Sequence, residues 1–159
     1  MKKHLIFQVS NPKNFSIPPA RSLRAWLALA LPSFAEVSLV FVEDTAAQAL
    51  NQRFRQKDTI PNVLAFSLGH SPEGALLGDV VAAFPAVERE ARLLGLPLET
   101  HLAHLLVHAA LHLGGMDHED EEGMLEMHER ENRILHALGF PEPHPHSCKK
   151  NIGPAGSSA

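Results

Sequence analysis

Short apolar runs crowd the first half of the chain, and longer helical patterns fill the second. Leu5 to Val9 reads as a first strand, and AEVSLVFVED, with its valines and phenylalanine, as a stronger second one. Between them, Pro18 and Pro19 precede a stretch that carries Leu23, Trp26, Leu27 and Ala30 on one helical face. Asp44 and Thr45 are placed to cap a helix running to about Arg55, and Pro61 opens the extended run NVLAFSL. After the turn-rich link GHSPEGA, LLGDVVAAF reads as a fourth strand that pairs with the third as a hairpin. Gly78 and Asp79 mark a bulge or bend in it. Pro85 opens a helix to about Leu94, closed by Gly95 and Pro97. Glu99 or Thr100 opens a histidine-bearing helix, and Glu119 to Leu138 forms the last, with Gly123 weakening its first turn. Four short strands and about five helices predict an α+β fold, a single domain with one small mixed four-stranded sheet and helices packed on it.

Composition narrows this picture. The 159 residues, 45% hydrophobic, suit one core and one domain, which the pattern places in residues 1–140. From Pro141 onward PEPHPHSCKKNIGPAGSSA has too little apolar content to fold and reads as a flexible tail, 141–159, whose His144 and His146 could bind metal loosely but are not expected to. No apolar run approaches the roughly 20 residues that span a bilayer. The N-terminus opens on two lysines but lacks the apolar core of a secretory signal. With Cys148 as the single cysteine, no disulfide can form within the chain, and a cytoplasmic location is the simplest expectation.

A net charge of −4 argues against a nucleic-acid binder until its distribution is examined. Residues 117–131 hold eight acids and one base, a local −7, so the remainder is mildly basic at +3. Its densest cluster, Arg53, Arg55 and Lys57, is suited to meeting phosphates.

The chemistry lies in HAALHLGGMDH. His108 and His112 are four apart, so on a helix both imidazoles face one way. Gly114 and Gly115 can end the helix and turn the chain back to deliver His118 as a third ligand. Three imidazoles with a position left for water is how catalytic zinc is held, whereas structural zinc is closed by four protein ligands. The chain has eleven histidines, and His104 extends the same face with His101 near it, so helix spacing alone leaves open which three bind. Only His108, His112 and His118 combine the helical pair with a glycine turn and a returning ligand. Their spacing equals that of the zinc-peptidase signature HExxHxxGxxH, and the presenting scaffold is expected to be zinc-metalloprotease-like. The general-base glutamate of that signature is replaced by Ala109, which cannot accept a proton.

Three segments, ALNQRFRQKDTIPNVLAFSL, LLGDVVAAF and HLLVHAALHLGGMDH, together resemble the YbeY family of metal-dependent endoribonucleases, in matching order from about Leu39 to Gly139. The family pattern looks like LNxxYRxxDxPTDVLSFP, then LGD, then HGxLHLxGYDH. Phe54 and Met116 stand where tyrosines are usual. Ile60, Pro61 and Asn62 replace Pro-Thr-Asp, Ala65 a serine and Ala109 a glycine.

The resemblance implies one divalent metal, zinc by expectation, on His108, His112 and His118, with Arg55 as the functional arginine. It also implies single-stranded RNA as substrate, a part in maturing the 16S ribosomal RNA 3′ end and in ribosome quality control, and the small ribosomal subunit and its assembly factors as partners. In that setting Arg55 pairs with the scissile phosphate, and Asp117 either orients a ligand histidine or forms the turn or cap that starts the final helix. For Arg55 the bland alternative is an ion pair with Asp58. Asn51 and Asp58 are expected to shape the helix exit, Met116, Met124 and Met127 to fill core gaps, and His128 and His136 to lie at the surface or in packing. Two other classes share the ligands: a metallopeptidase-like hydrolase, and a non-catalytic RNA-binding assembly protein with a structural metal.

Overall fold

The computed structural model describes residues 4–116 and 120–144. Its elements in chain order are β1 (Leu5–Ser10), α1 (Ala20–Ala30), β2 (Ala35–Val42), α2 (Asp44–Arg55), β3 (Val63–His70), β4 (Leu76–Ala83), α3 (Phe84–Leu94), α4 (Leu98–Leu113) and α5 (Glu121–Ala137). The strands form one sheet in the order β1-β2-β4-β3. β1, β2 and β4 are parallel and β3 is antiparallel to β4, the expected hairpin on one edge of a mixed sheet. The α+β expectation of four strands and five helices therefore holds.

Period-two burial shows how the sheet faces its core. In β2, Ala35, Val37, Leu39 and Phe41 are buried while the residues between them are half-buried. The inner face carries α1 and α4. α1 buries the predicted stripe Leu23, Trp26, Leu27 and Ala30. α4 is apolar on nearly every side because it is the central helix, packed on α1, α3, α5 and β3.

Gly78 is no bulge. It pairs in register with Val37 and Ser67, and the irregularity falls in β3, between Ser67 and His70. A Cβ at residue 78 would lie 2.9 Å from both terminal methyls of Leu113, so glycine lets Leu113 of α4 seat directly on the strand. α5 starts where Asp120 Oδ1 accepts a 2.7 Å hydrogen bond from Gly123 N–H, and it buries Met127, Ile134 and Leu135. Of the three methionines expected to fill gaps, Met127 is fully buried and Met116 packs at the core margin, but Met124 is exposed.

Asn132 donates to His144 O at 2.6 Å and accepts from His144 N–H at 3.0 Å, so residues 142–144 lie against α5. Residues 145–159 of the predicted tail lie outside the described residues. Among the described residues no helix is long and apolar enough to cross a membrane.

Candidate metal centre

α4 presents His101, His104, His108 and His112 along its length at steps of three, four and four, and neighbouring elements answer them differently. His101 is buried and its Nε2 donates to Glu90 on α3 at 2.8 Å. His104 and His108 both meet Glu131, which α5 delivers into the interior at 1% exposure. His104 Nε2 lies 3.1 Å from one carboxylate oxygen, His144 Nε2 lies 2.6 Å from the same oxygen, and His108 Nδ1 makes a short contact with the other.

Burial by itself would raise the Glu131 pKa, but the hydrogen bonds from His104, His108 and His144 outweigh it and hold the carboxyl well below the ordinary range. An ionised carboxylate only accepts hydrogen bonds. His108 therefore donates from Nδ1 to Glu131. This is the arrangement by which a carboxylate fixes the tautomer and orientation of a metal-binding histidine. His128 stacks on His144 at 3.7 Å between ring centres, and its own pKa is lowered, first by burial and then by the neighbouring His144.

The C-terminal half of α4 borders a cleft of about 190 Å³, lined by His108, Ala109 and His112 from α4 and by Arg55 and residues 62–65 across from them. The rings of His108 and His112 are 6.0 Å apart, one helical turn, as two ligands of one ion would be. Arg55 ends α2 because Gln56 adopts a left-handed conformation, φ 54°. Asn51 Nδ2 then ties down the following loop through Thr59 O at 3.0 Å and Thr59 Oγ1 at 3.2 Å. The Arg55 guanidinium donates to Ala65 O on the sheet-edge strand at 2.7 Å and lies 5.3 Å from the Phe66 ring centre. Among the described residues no ion pair joins Arg55 to Asp58, which instead accepts from Gln48 at 3.3 Å. Ala109 lines the cleft where a peptidase places its glutamate, and no described lining residue is a carboxylate.

A family model described as Endoribonuclease YbeY matches residues 20–139, which include both walls of this cleft. The chain belongs to the YbeY family. Curated relatives named Endoribonuclease YbeY include one from Paraburkholderia phymatum, 41% identical over 133 residues (84% of this chain, 87% of the relative). Another, from Thiobacillus denitrificans, is 44% identical over 128 residues (80% and 87%). A solution structure of a Thermotoga maritima protein has the same fold, with TM-score 0.51 and 20% identity over 85% of this chain and 91% of that one.

Within this YbeY-family chain the cleft gathers His108, His112 and Arg55 from segments more than fifty residues apart. His118 and Asp117, the expected third ligand and its neighbour, lie outside the described residues. The described cap of α5 is Asp120. The sequence reading missed Glu131, whose signal was an acid on the apolar face of the last helix, four residues after Met127. It also set aside His144, whose only pointer was its place beyond a helix it was not expected to touch.

His104, Glu131 and His144 are a second group whose chemistry fits a cation, their ligand atoms lying within 4.8 Å of one another. Ligand atoms around tetrahedral zinc stand roughly 3.3 Å apart, from arms of about 2.0–2.1 Å. The 2.6 Å contact between His144 and Glu131 is closer than that and has hydrogen-bond geometry. As described, this group buttresses His108 from behind.

Proposed function

We propose that this protein is a metal-dependent endoribonuclease acting on single-stranded RNA. The observation that carries the reading is one cleft with an imidazole pair on one wall and a guanidinium on the other. The donor set fits a divalent ion: Glu131 orients the His108 ring through Nδ1, and His112 follows one turn later. We assign His108, His112 and His118 as the ligands and zinc as the ion. When bound, such an ion supplies Lewis acidity at a phosphoryl oxygen or a water.

The chain's own residues account for the rest. Arg55, fixed to the edge strand through Ala65 O, offers its remaining N–H groups to the phosphate on which negative charge builds. Arginine suits this because its planar fork binds two phosphate oxygens at once. Glu131 is no general base for the cleft. It lies behind His108, its carboxylate is already taken by three histidines, and its depressed pKa makes it a poor proton acceptor. Ala109 leaves the peptidase route without its base, which favours RNA over peptide hydrolysis. Asp117 is assigned the orientation of a ligand histidine.

We further place this activity in the cytoplasm, in maturation of the 16S ribosomal RNA 3′ end and in ribosome quality control, with the small subunit and its assembly factors as partners. That placement rests on membership of the YbeY family. Incubation of a single-stranded RNA with the native protein, His112→Ala and Arg55→Ala, with bound metal measured in parallel, tests the site. Cutting by the native protein alone, with metal kept in Arg55→Ala and lost in His112→Ala, is expected. Equal cutting by all three sinks the assignment. RNA binding without cutting in any metal would favour the non-catalytic assembly protein.

A further inference from the structure

The end of α2 places a phenylalanine where helix surfaces usually carry charge. Phe54 is 54% exposed. Its ring meets Phe66, on the outer face of β3, at 5.6 Å between centres and 68° between planes. A guanidinium flanks each ring: the Arg53 carbon lies 5.4 Å from the Phe54 centre and the Arg55 carbon 5.3 Å from the Phe66 centre. Arg53, Arg55 and Lys57 are all exposed, and this is the densest basic cluster of the chain. The corner is continuous with the cleft, because Arg55 belongs to both.

We infer that Phe54 and Phe66 form a stacking platform for an unpaired nucleobase of the RNA, next to the phosphate that Arg55 holds. The inference rests on the nuclease reading and adds to it the feature that selects single strands. Aromatic faces and guanidinium planes stack bases without regard to sequence, while the cationic heads meet the flanking phosphates. A base locked in a duplex has no free face to offer. Phe54 has no hydroxyl, so the contact it offers is the ring face itself, and selection here is for an exposed base rather than for a particular one. The charge of the corner fits a polyanion, and its rings fit a single-stranded nucleic acid, which carries a flat base at every repeat.

The test measures equilibrium binding of a short labelled single-stranded RNA to the full-length protein, with an abasic nucleotide moved along the strand. It compares Phe54→Ala, Phe54→Leu and Phe54→Trp with the native protein. Phe54→Ala is expected to weaken binding about tenfold and Phe54→Trp to restore it, while Phe54→Leu, apolar but without a π face, stays weak. One abasic position should cost the native protein a similar factor and cost Phe54→Ala nothing more. An unchanged melting temperature shows that the exposed position was not needed for folding. Native-like binding by Phe54→Ala, or by Phe54→Leu, overturns the platform even if the protein cuts RNA. Phe54-dependent binding by a protein that never cuts overturns the nuclease reading and leaves the platform standing. No binding by the native protein overturns both.

Discussion

The two halves of α4 carry the same residue at nearly the same spacing and use it in opposite ways. In the N-terminal half, His101 and His104 meet carboxylates from α3 and α5, and their imidazoles serve as polar struts in a helix that is otherwise core. In the C-terminal half, His108 and His112 border a cleft whose far wall holds Arg55. His108 belongs to both halves, because one ring nitrogen is taken by Glu131 while its ring lines the cleft. The difference comes from the opposing surface: a facing carboxylate makes a histidine a strut, and an open cleft leaves it facing Arg55, as the proposed metal ligands do.

Substitution at the two ends should separate these roles most sharply. His112→Ala is expected to lower RNA cleavage by roughly a thousandfold and abolish stoichiometric metal binding, with little change in stability, since the side chain is exposed. His101→Ala should do the reverse, keeping metal and cleavage but losing about 1–2 kcal/mol, because a buried hydrogen-bonded group is removed. Metal analysis and denaturant melts on both variants check the pair. Loss of metal in His101→Ala would erase the distinction.

Glu131→Gln tests the joint between the halves. An amide oxygen cannot hold three imidazole donors as a carboxylate does, so metal affinity should fall about 10- to 100-fold, read by competition with a chromogenic chelator. Metal-free protein should also lose about 3 kcal/mol. The pH dependence follows from the depressed pKa of Glu131. A carboxyl held below its unfolded value adds stability that is fully present above about pH 4.3 and fades as pH falls through the folded value. The stability gap between native and Glu131→Gln protein should therefore shrink in acid and stay flat from about pH 6 to 8. A gap that widened in acid would mean that Glu131 is protonated in the fold.

The smallest effect is expected at His144. His144→Ala should cost about 1 kcal/mol and leave metal content intact, since its contact with Glu131 is a hydrogen bond. Loss of metal from His144→Ala with retention in His112→Ala would move the ion to His104, Glu131 and His144.

Much of this was legible because it is local. The period-two burial of β2, the α1 stripe and the four-residue step between His108 and His112 each depend on backbone geometry that spans only a few residues. Gly78 shows the limit: a glycine within a strand signals either a bend or a close neighbour, and only the seating of Leu113 on it decides which. Met124, placed in the core by its apolar character, faces outward because α5 buries the stripe through Met127, Ile134 and Leu135 instead.

By itself, the chain determined the α+β layout, the paired imidazoles of α4 and the missing peptidase base at Ala109, since each is written within one or two helical turns or one strand. Only the tertiary structure decided that Glu131 and His144 reach across to His104 and His108, and that Arg55 faces the histidine pair and not Asp58. The physical reason is that a charged side chain has no intrinsic partner. Its role is set by whichever groups folding brings within hydrogen-bond reach, and those groups lie on helices and strands far apart in sequence.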